Sequence, residues 1–290
     1  MATVLVTGSS AGIGLATALA FARAGHRVAA TMRNPSSAPA LTETAARENL
    51  SVMVVPLDVD LDASVRDGMA SVVRDLGPID VLVNNAGIDR MGSVEELPLT
   101  EFRAVMETNY FGAIRCIQAV LPSMRQRRSG CIINVSSIAG QIASAPMAAY
   151  VASKFALEAL SECLAQEVKP FNLRVAIVEP GIIDTKMARN FAVALAPSLY
   201  NQQRRMSALF AAALDAPVPP SLVAEKILEI AIGDTEQLRH PVGPDAAPFL
   251  AWRRAMSDEA WVALAALEEE AWYARIETDF GIDVRPPAQV

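Results

Sequence analysis

Short apolar runs rich in β-branched residues recur along this chain, and stretches with helical periodicity separate them. The runs are Thr3–Thr7, Arg27–Met32, Ser51–Leu57, Val81–Val83, Cys131–Val135 and Arg174–Val178. Between them lie helical patterns at Ile13–Ala24, Leu41–Glu48, Ala63–Asp75, Glu101–Arg125 and Ala148–Val168. A strand that is apolar at consecutive positions must bury both faces, which requires a parallel sheet covered by helices on each side. Right-handed crossovers then make the sheet doubly wound. With 52% hydrophobic and 20% charged residues in 290, the chain has material for a sizeable core. No repeat, linker or low-complexity segment interrupts it, only proline clusters at Pro217–Pro220 and Pro286-Pro287. One α/β domain is the expected organisation.

Several classes of function are disfavoured. The net charge is −7, and the densest basic stretch, Arg125, Arg127 and Arg128, falls at a helix end, where cations complement the dipole. No nucleic-acid partner is expected. Cys116, Cys131 and Cys163 have no metal spacing, and His26 and His240 are the only histidines, so no metal site is expected. Buried free thiols in a reducing compartment are the expectation. The first strand begins at Ala2 with no charged n-region or cleavage site before it, and no run of about 18 apolar residues occurs. These features predict a cytoplasmic protein without membrane association.

The chemistry is concentrated in a few places. Thr7-Gly8-Ser9-Ser10-Ala11-Gly12-Ile13-Gly14 joins the first strand to the first helix. Glycines there allow a tight turn and close backbone approach to a pyrophosphate at a helix N-terminus. The spacing is GxxxGxG rather than GxGxxG. Where NAD enzymes place an acid for the ribose 2′-hydroxyl, this chain has Met32 followed by Arg33. A guanidinium can bind a 2′-phosphate or stack on adenine, which favours NADP over NAD, with NAD remaining possible. Tyr150 and Lys154 stand one helical turn apart, where the lysine charge can favour the phenolate.

Together these residues resemble the short-chain dehydrogenases/reductases. The matching motifs are the Thr7–Gly14 turn, Asp58-Val59, Asn84-Asn85-Ala86-Gly87, Asn109, Ser137, Tyr150 with Lys154, and Pro180-Gly181 through Thr185. The resemblance covers about residues 2–186 and adds a seventh strand near Leu238–Gly243. It implies a Rossmann-like fold and an oxidoreductase interconverting an alcohol and a ketone. It further implies cofactor contacts at Gly8, Ser10, Gly12, Ile13, Gly14, Arg33, Asp58, Val59, Asn85, Ala86, Gly87, Pro180, Gly181, Ile183 and Thr185, with Tyr150 and Lys154 sharing them. Ser137 would bind the substrate carbonyl, with Ser136 as the alternative serine. Tyr150 would carry the proton, Lys154 would bond the nicotinamide ribose and lower the tyrosine pKa, and Asn109 would bind a water linking Lys154 to solvent.

The segments after the core read as a substrate lid, 187–220, and a C-terminal helical extension, 244–290. Met187, Phe191, Leu195, Leu199, Tyr200, Met206, Leu209 and Phe210 form an apolar set, with Ile142, Met147 and Met91 as further wall residues. Such a wall suits a bulky apolar small molecule, steroid-like, retinoid-like or aromatic; ordinary packing is the competing reading. Leu250–Phe280 predicts one or two amphipathic helices, packing on the domain, closing over substrate or contacting a second subunit. The two long helices form the usual dimer surface of the resembled family, so a homodimer or homotetramer is expected. The alternatives are an NAD-dependent alcohol dehydrogenase and a non-catalytic nucleotide-binding or scaffold protein.

Overall fold

The computed structural model describes residues 1–193 and 198–285. Its strands are β1 (Thr3–Val6), β2 (Arg27–Met32), β3 (Val52–Pro56), β4 (Val81–Asn84), β5 (Cys131–Val135), β6 (Arg174–Pro180) and β7 (Arg239–Val242). They form one sheet in the order β3-β2-β1-β4-β5-β6-β7, and every neighbouring pair is parallel. The helices are α1 (Gly12–Arg23), α2 (Pro39–Arg47), α3 (Asp62–Leu76), α4 (Leu99–Met106), α5 (Gly112–Arg127), α6 (Ala148–Val168), α7 (Lys186–Ala192), α8 (Gln202–Leu214), α9 (Pro220–Ile232), α10 (Ala246–Arg254), α11 (Asp258–Ala263) and α12 (Glu269–Phe280).

The period of two along each strand shows why the runs are continuously apolar. Val4 and Val6 of β1 pack with Phe21 of α1 and Ile227 of α9, while Leu5 between them packs with Met69 of α3 and Ile117 of α5. All four β1 residues are fully buried, because helices cover both faces. From β1 the chain winds outward through β2 and β3, then returns to β4 and winds the other way. That reversal leaves a crevice at the carboxyl ends of β1 and β4, the general location for ligands in such sheets.

The structure modifies three expectations. The helix over Glu101–Arg125 is divided: α4 and α5 are joined by a π-helical segment, Glu107–Phe111. The tail forms three helices, α10 to α12, where one or two were expected, because Ser257 caps α11 by accepting the Ala260 N–H at 3.2 Å. Cys116 and Cys131 are buried, but Cys163 is exposed on α6. Leu195 and the Pro286-Pro287 cluster lie outside the described residues.

Candidate active site

The glycine turn is held by its neighbours across the switch point. Thr7 Oγ1 accepts the N–H groups of Asn85 and Ala86, both at 3.0 Å. Asn85 Nδ2 donates to the carbonyl oxygens of Thr7 at 2.9 Å and Gly8 at 3.2 Å. Gly8 has φ +69°, and a Cβ there would lie 2.8 Å from Ala86 Cα. A Cβ on Gly14 would lie 2.3 Å from the Gly8 carbonyl oxygen, so that glycine lets α1 start directly behind the turn.

Over the turn runs a cleft of about 360 Å³. One stretch of its wall is Gly8, Ser10, Gly12 and Ile13; another is Arg33, Asp58 and Val59. Asn85, Ala86 and Gly87 follow, then Pro180, Gly181, Ile183 and Thr185, and finally Ser137, Tyr150 and Lys154. Of the sequence-predicted residues, Gly14 and Asn109 do not line it. Gly14 is packed behind the turn. Asn109 lies behind the wall, its Oδ1 accepting the Ile88 N–H at 2.8 Å and its Nδ2 donating to Ile88 O and Ser153 Oγ, both at 2.9 Å. Its side-chain amide is anchored to these protein groups. Ser136 also borders the cleft, but its hydroxyl is buried.

Tyr150 stands in the first turn of α6 and Lys154 one turn later on the same face. The Lys154 Nζ lies 5.4 Å from the Tyr150 ring centre and donates to Val135 O at 2.9 Å. Ser137 Oγ accepts the Ala139 N–H at 3.1 Å and is in hydrogen-bond reach of the phenol. Burial pushes the lysine pKa down to about 8, against the charges of Glu158 and Asp89. Burial also raises the Tyr150 pKa, and the Asp89 charge adds to this, against the Ser137 hydrogen bond. The net direction is upward, so the phenol is neutral at pH 7.

Several charged residues at the site escaped the sequence reading. Both carboxylate oxygens of Asp89 are buried, and burial pushes its pKa up to about 7 against the Arg90 backbone N–H and the charges of Arg90 and Lys154. Glu158, four residues after Lys154, shares its helix face, and helical spacing was a signal for it. Arg239 of β7 pairs with Glu158 and Glu162, each at 2.9 Å, and lies 4.0 Å from Glu179. Asp245, at the start of the tail, accepts the Ile182 N–H at 2.7 Å and clamps the loop after β6. No simple sequence signal marks Asp89 or Asp245.

An apolar cavity of about 360 Å³ meets the cleft at Ser137, Met147 and Gly181. Ile142, Leu209, Phe249, Trp252, Trp261 and Trp272 are among its walls. The tail therefore packs on its own chain and forms a cavity wall. Of the lid set, Met187 and Phe191 face the cleft, Met206 and Leu209 the cavity, and Phe210 both. Met91 packs behind Met147 and Phe191. Leu199 and Tyr200 do not line either space: Leu199 is 85% exposed, and the Tyr200 hydroxyl donates to Glu95 at the surface.

Residues 2–194 match the family model described as short chain dehydrogenase, and the chain belongs to that family. It is similar to the uncharacterized oxidoreductase YusZ of Bacillus subtilis, with 35% identity over 269 residues, 90% of this chain and 95% of the relative. It is 43% identical to retinol dehydrogenase 8 of Bos taurus over 189 residues, 63% of this chain and 60% of that protein. A solved structure of an actinorhodin polyketide ketoreductase variant with NADPH superposes with a TM-score of 0.75 at 27% identity, covering 84% of this chain and 97% of that one. The protein is an oxidoreductase of a family that binds NAD(P) and acts on small molecules. Among the described residues, no helix is long and apolar enough to cross a membrane.

Proposed function

We propose that this protein is an NADP(H)-dependent oxidoreductase interconverting a secondary alcohol and a ketone on a bulky apolar substrate. The observation that supports it best is the convergence of Ser137, Tyr150 and Lys154 in the cleft that crosses the glycine turn, at the point where an apolar cavity joins it. The cleft suits a dinucleotide, because Gly8 and Gly12, both at positive φ, shape its turn at the N-terminus of α1, where a pyrophosphate is favoured. Gly8, Ser10, Gly12 and Ile13 would hold the pyrophosphate side, and Pro180 through Thr185 the nicotinamide side.

Reduction of a ketone builds negative charge on its oxygen, and donors aimed there stabilise the transition state. Ser137 supplies one hydrogen bond. Tyr150, protonated at neutral pH, supplies a second and passes its proton to the oxygen as general acid. Lys154, cationic below about pH 8, stabilises the phenolate left behind. Asn109 holds Ser153, whose hydroxyl donates to the Tyr150 carbonyl at 2.7 Å, fixing the first turn of α6. The bound nicotinamide supplies the hydride chemistry.

Preference for NADP rests on Met32 and Arg33, which leave no carboxylate at the end of β2 and put a guanidinium on the cleft wall. NADPH in the similar ketoreductase structure agrees with this. Phe111 and Phe155, 44% and 41% exposed beside α5 and on α6, support a homo-oligomer. The reading is completed by one domain over 1–290 and, with three free thiols, a cytoplasmic setting. The test is NADPH consumption with steroid, aromatic and aliphatic ketones, repeated with NADH. No turnover of any ketone or of the matching alcohols would overturn the proposal.

A further inference from the structure

The apolar cavity contains a cation. Arg205 projects from α8, is only 3% exposed, and is the one charged side chain among the described residues lining that cavity. Its Nη1 and Nη2 donate to the carbonyl oxygens of Ala265 and Leu267, and its guanidinium lies 5.5 Å from the Trp272 ring centre. Its Nε has no hydrogen-bond partner. No carboxylate among the described residues forms an ion pair with it. Glu269, whose charge it feels, is bonded to Arg204 and to the Tyr273 hydroxyl.

A buried cation with no carboxylate in contact is costly, and the carbonyl dipoles and the more distant Glu269 charge offset that cost only in part. Tying the tail to α8 would need no more than a neutral donor at this position. A permanent charge on an otherwise apolar wall is explained when the occupant brings the missing anion. Arginine suits this role, since its planar fork matches a carboxylate.

We propose that Arg205 binds a carboxylate carried by the substrate, so that the substrate is a keto acid or hydroxy acid: a carbonyl or carbinol at Ser137, an apolar body along the tryptophan-lined wall, and an acid group at Arg205. This rests on the alcohol–ketone reading above and narrows its substrate class. A neutral apolar ketone would leave the guanidinium unpaired.

Two measurements test it. In the first, tryptophan fluorescence follows titration of the intact protein with decanoate and with methyl decanoate. Decanoate is expected to bind about tenfold or more tightly, the effect of one charge-assisted hydrogen bond, and the difference should largely vanish in Arg205→Met but persist in part in Arg205→Lys. In the second, kcat/KM is compared for a medium-chain keto acid and its methyl ester. The acid-to-ester ratio should be about ten or more in the wild type and fall toward one in Arg205→Met. Equal binding of acid and ester by the wild type, or a ratio unmoved by Arg205→Met, overturns the proposal. If Arg205→Met fails to fold, the wild-type comparison and Arg205→Lys still decide. Reduction of neutral ketones with no preference for acids removes this inference alone, whereas decanoate binding without turnover of any ketone or alcohol removes the oxidoreductase reading instead.

Discussion

Glu179→Gln should make the protein's stability less dependent on pH, by an amount that follows from the geometry beneath the active site. Glu179 is fully buried near the end of β6; Gln141 donates to its Oε1, and its Oε2 has no partner. Arg239 is closer to Glu158 than to Glu179, at 2.9 Å against 4.0 Å. Burial, and then the Glu158 charge, push the Glu179 pKa from an ordinary 4.5 up to about 7. The folded state therefore holds this proton more tightly than the unfolded chain does. Its stabilising contribution is full below about pH 4.5 and is lost as pH rises through about 7. At about 1.4 kcal/mol for each tenfold in proton affinity, the loss amounts to about 3 kcal/mol by pH 8. Glutamine has nearly the same shape and no charge at any pH. Whatever constant cost its amide adds, the variant should gain about 3 kcal/mol on the wild type between pH 4.5 and pH 8. Urea unfolding of both proteins across that range measures it. A stability difference that is the same at both ends would refute the assignment of Glu179 as a buried acid that ionises near neutrality.

Four further substitutions test other parts of the site. Tyr150→Phe should lower turnover by about 10²–10⁴-fold while NADPH binding, followed by nucleotide fluorescence, is kept; substantial remaining turnover would remove Tyr150 from proton transfer. Arg33→Asp should reduce the NADPH-to-NADH ratio of kcat/KM by about tenfold or more, the worth of a charge-assisted contact, and an unchanged ratio would sink the arginine argument. Gly14→Ala puts a methyl group 2.3 Å from the Gly8 carbonyl oxygen and should cost about 1–3 kcal/mol in urea unfolding together with NADPH affinity; wild-type stability would contradict the close packing. Asp89→Asn removes an anion that raises the Lys154 pKa, so the alkaline limb of the reductase pH–rate profile should move to lower pH. A limb that stays in place would separate Asp89 from the lysine.

The sheet is legible in the sequence because its strands are apolar on consecutive residues, and the structure buries them on both sides, as at Val4, Leu5 and Val6. The π-helical segment at Glu107–Phe111 is not legible, since nothing in that composition breaks a helix. It coincides with Asn109, whose side chain bonds Ile88 and Ser153, partners brought there by tertiary structure. Tyr150 and Lys154 can be paired from sequence because helical spacing puts them on one face, and the same spacing extends to Glu158. Asp89 and Glu179 are different, because a sequence shows an acid but not the removal of water around it. Their burial depends on α6, on β7 and on the tail, segments distant in the chain. This matters for the chemistry, because Asp89 at about 7 and Lys154 at about 8 interact and titrate close together. Groups so coupled lose their protons as a set. A break in activity between pH 7 and pH 8 would therefore belong to the Asp89–Lys154 pair, and not to Tyr150, whose phenol burial keeps protonated throughout that range.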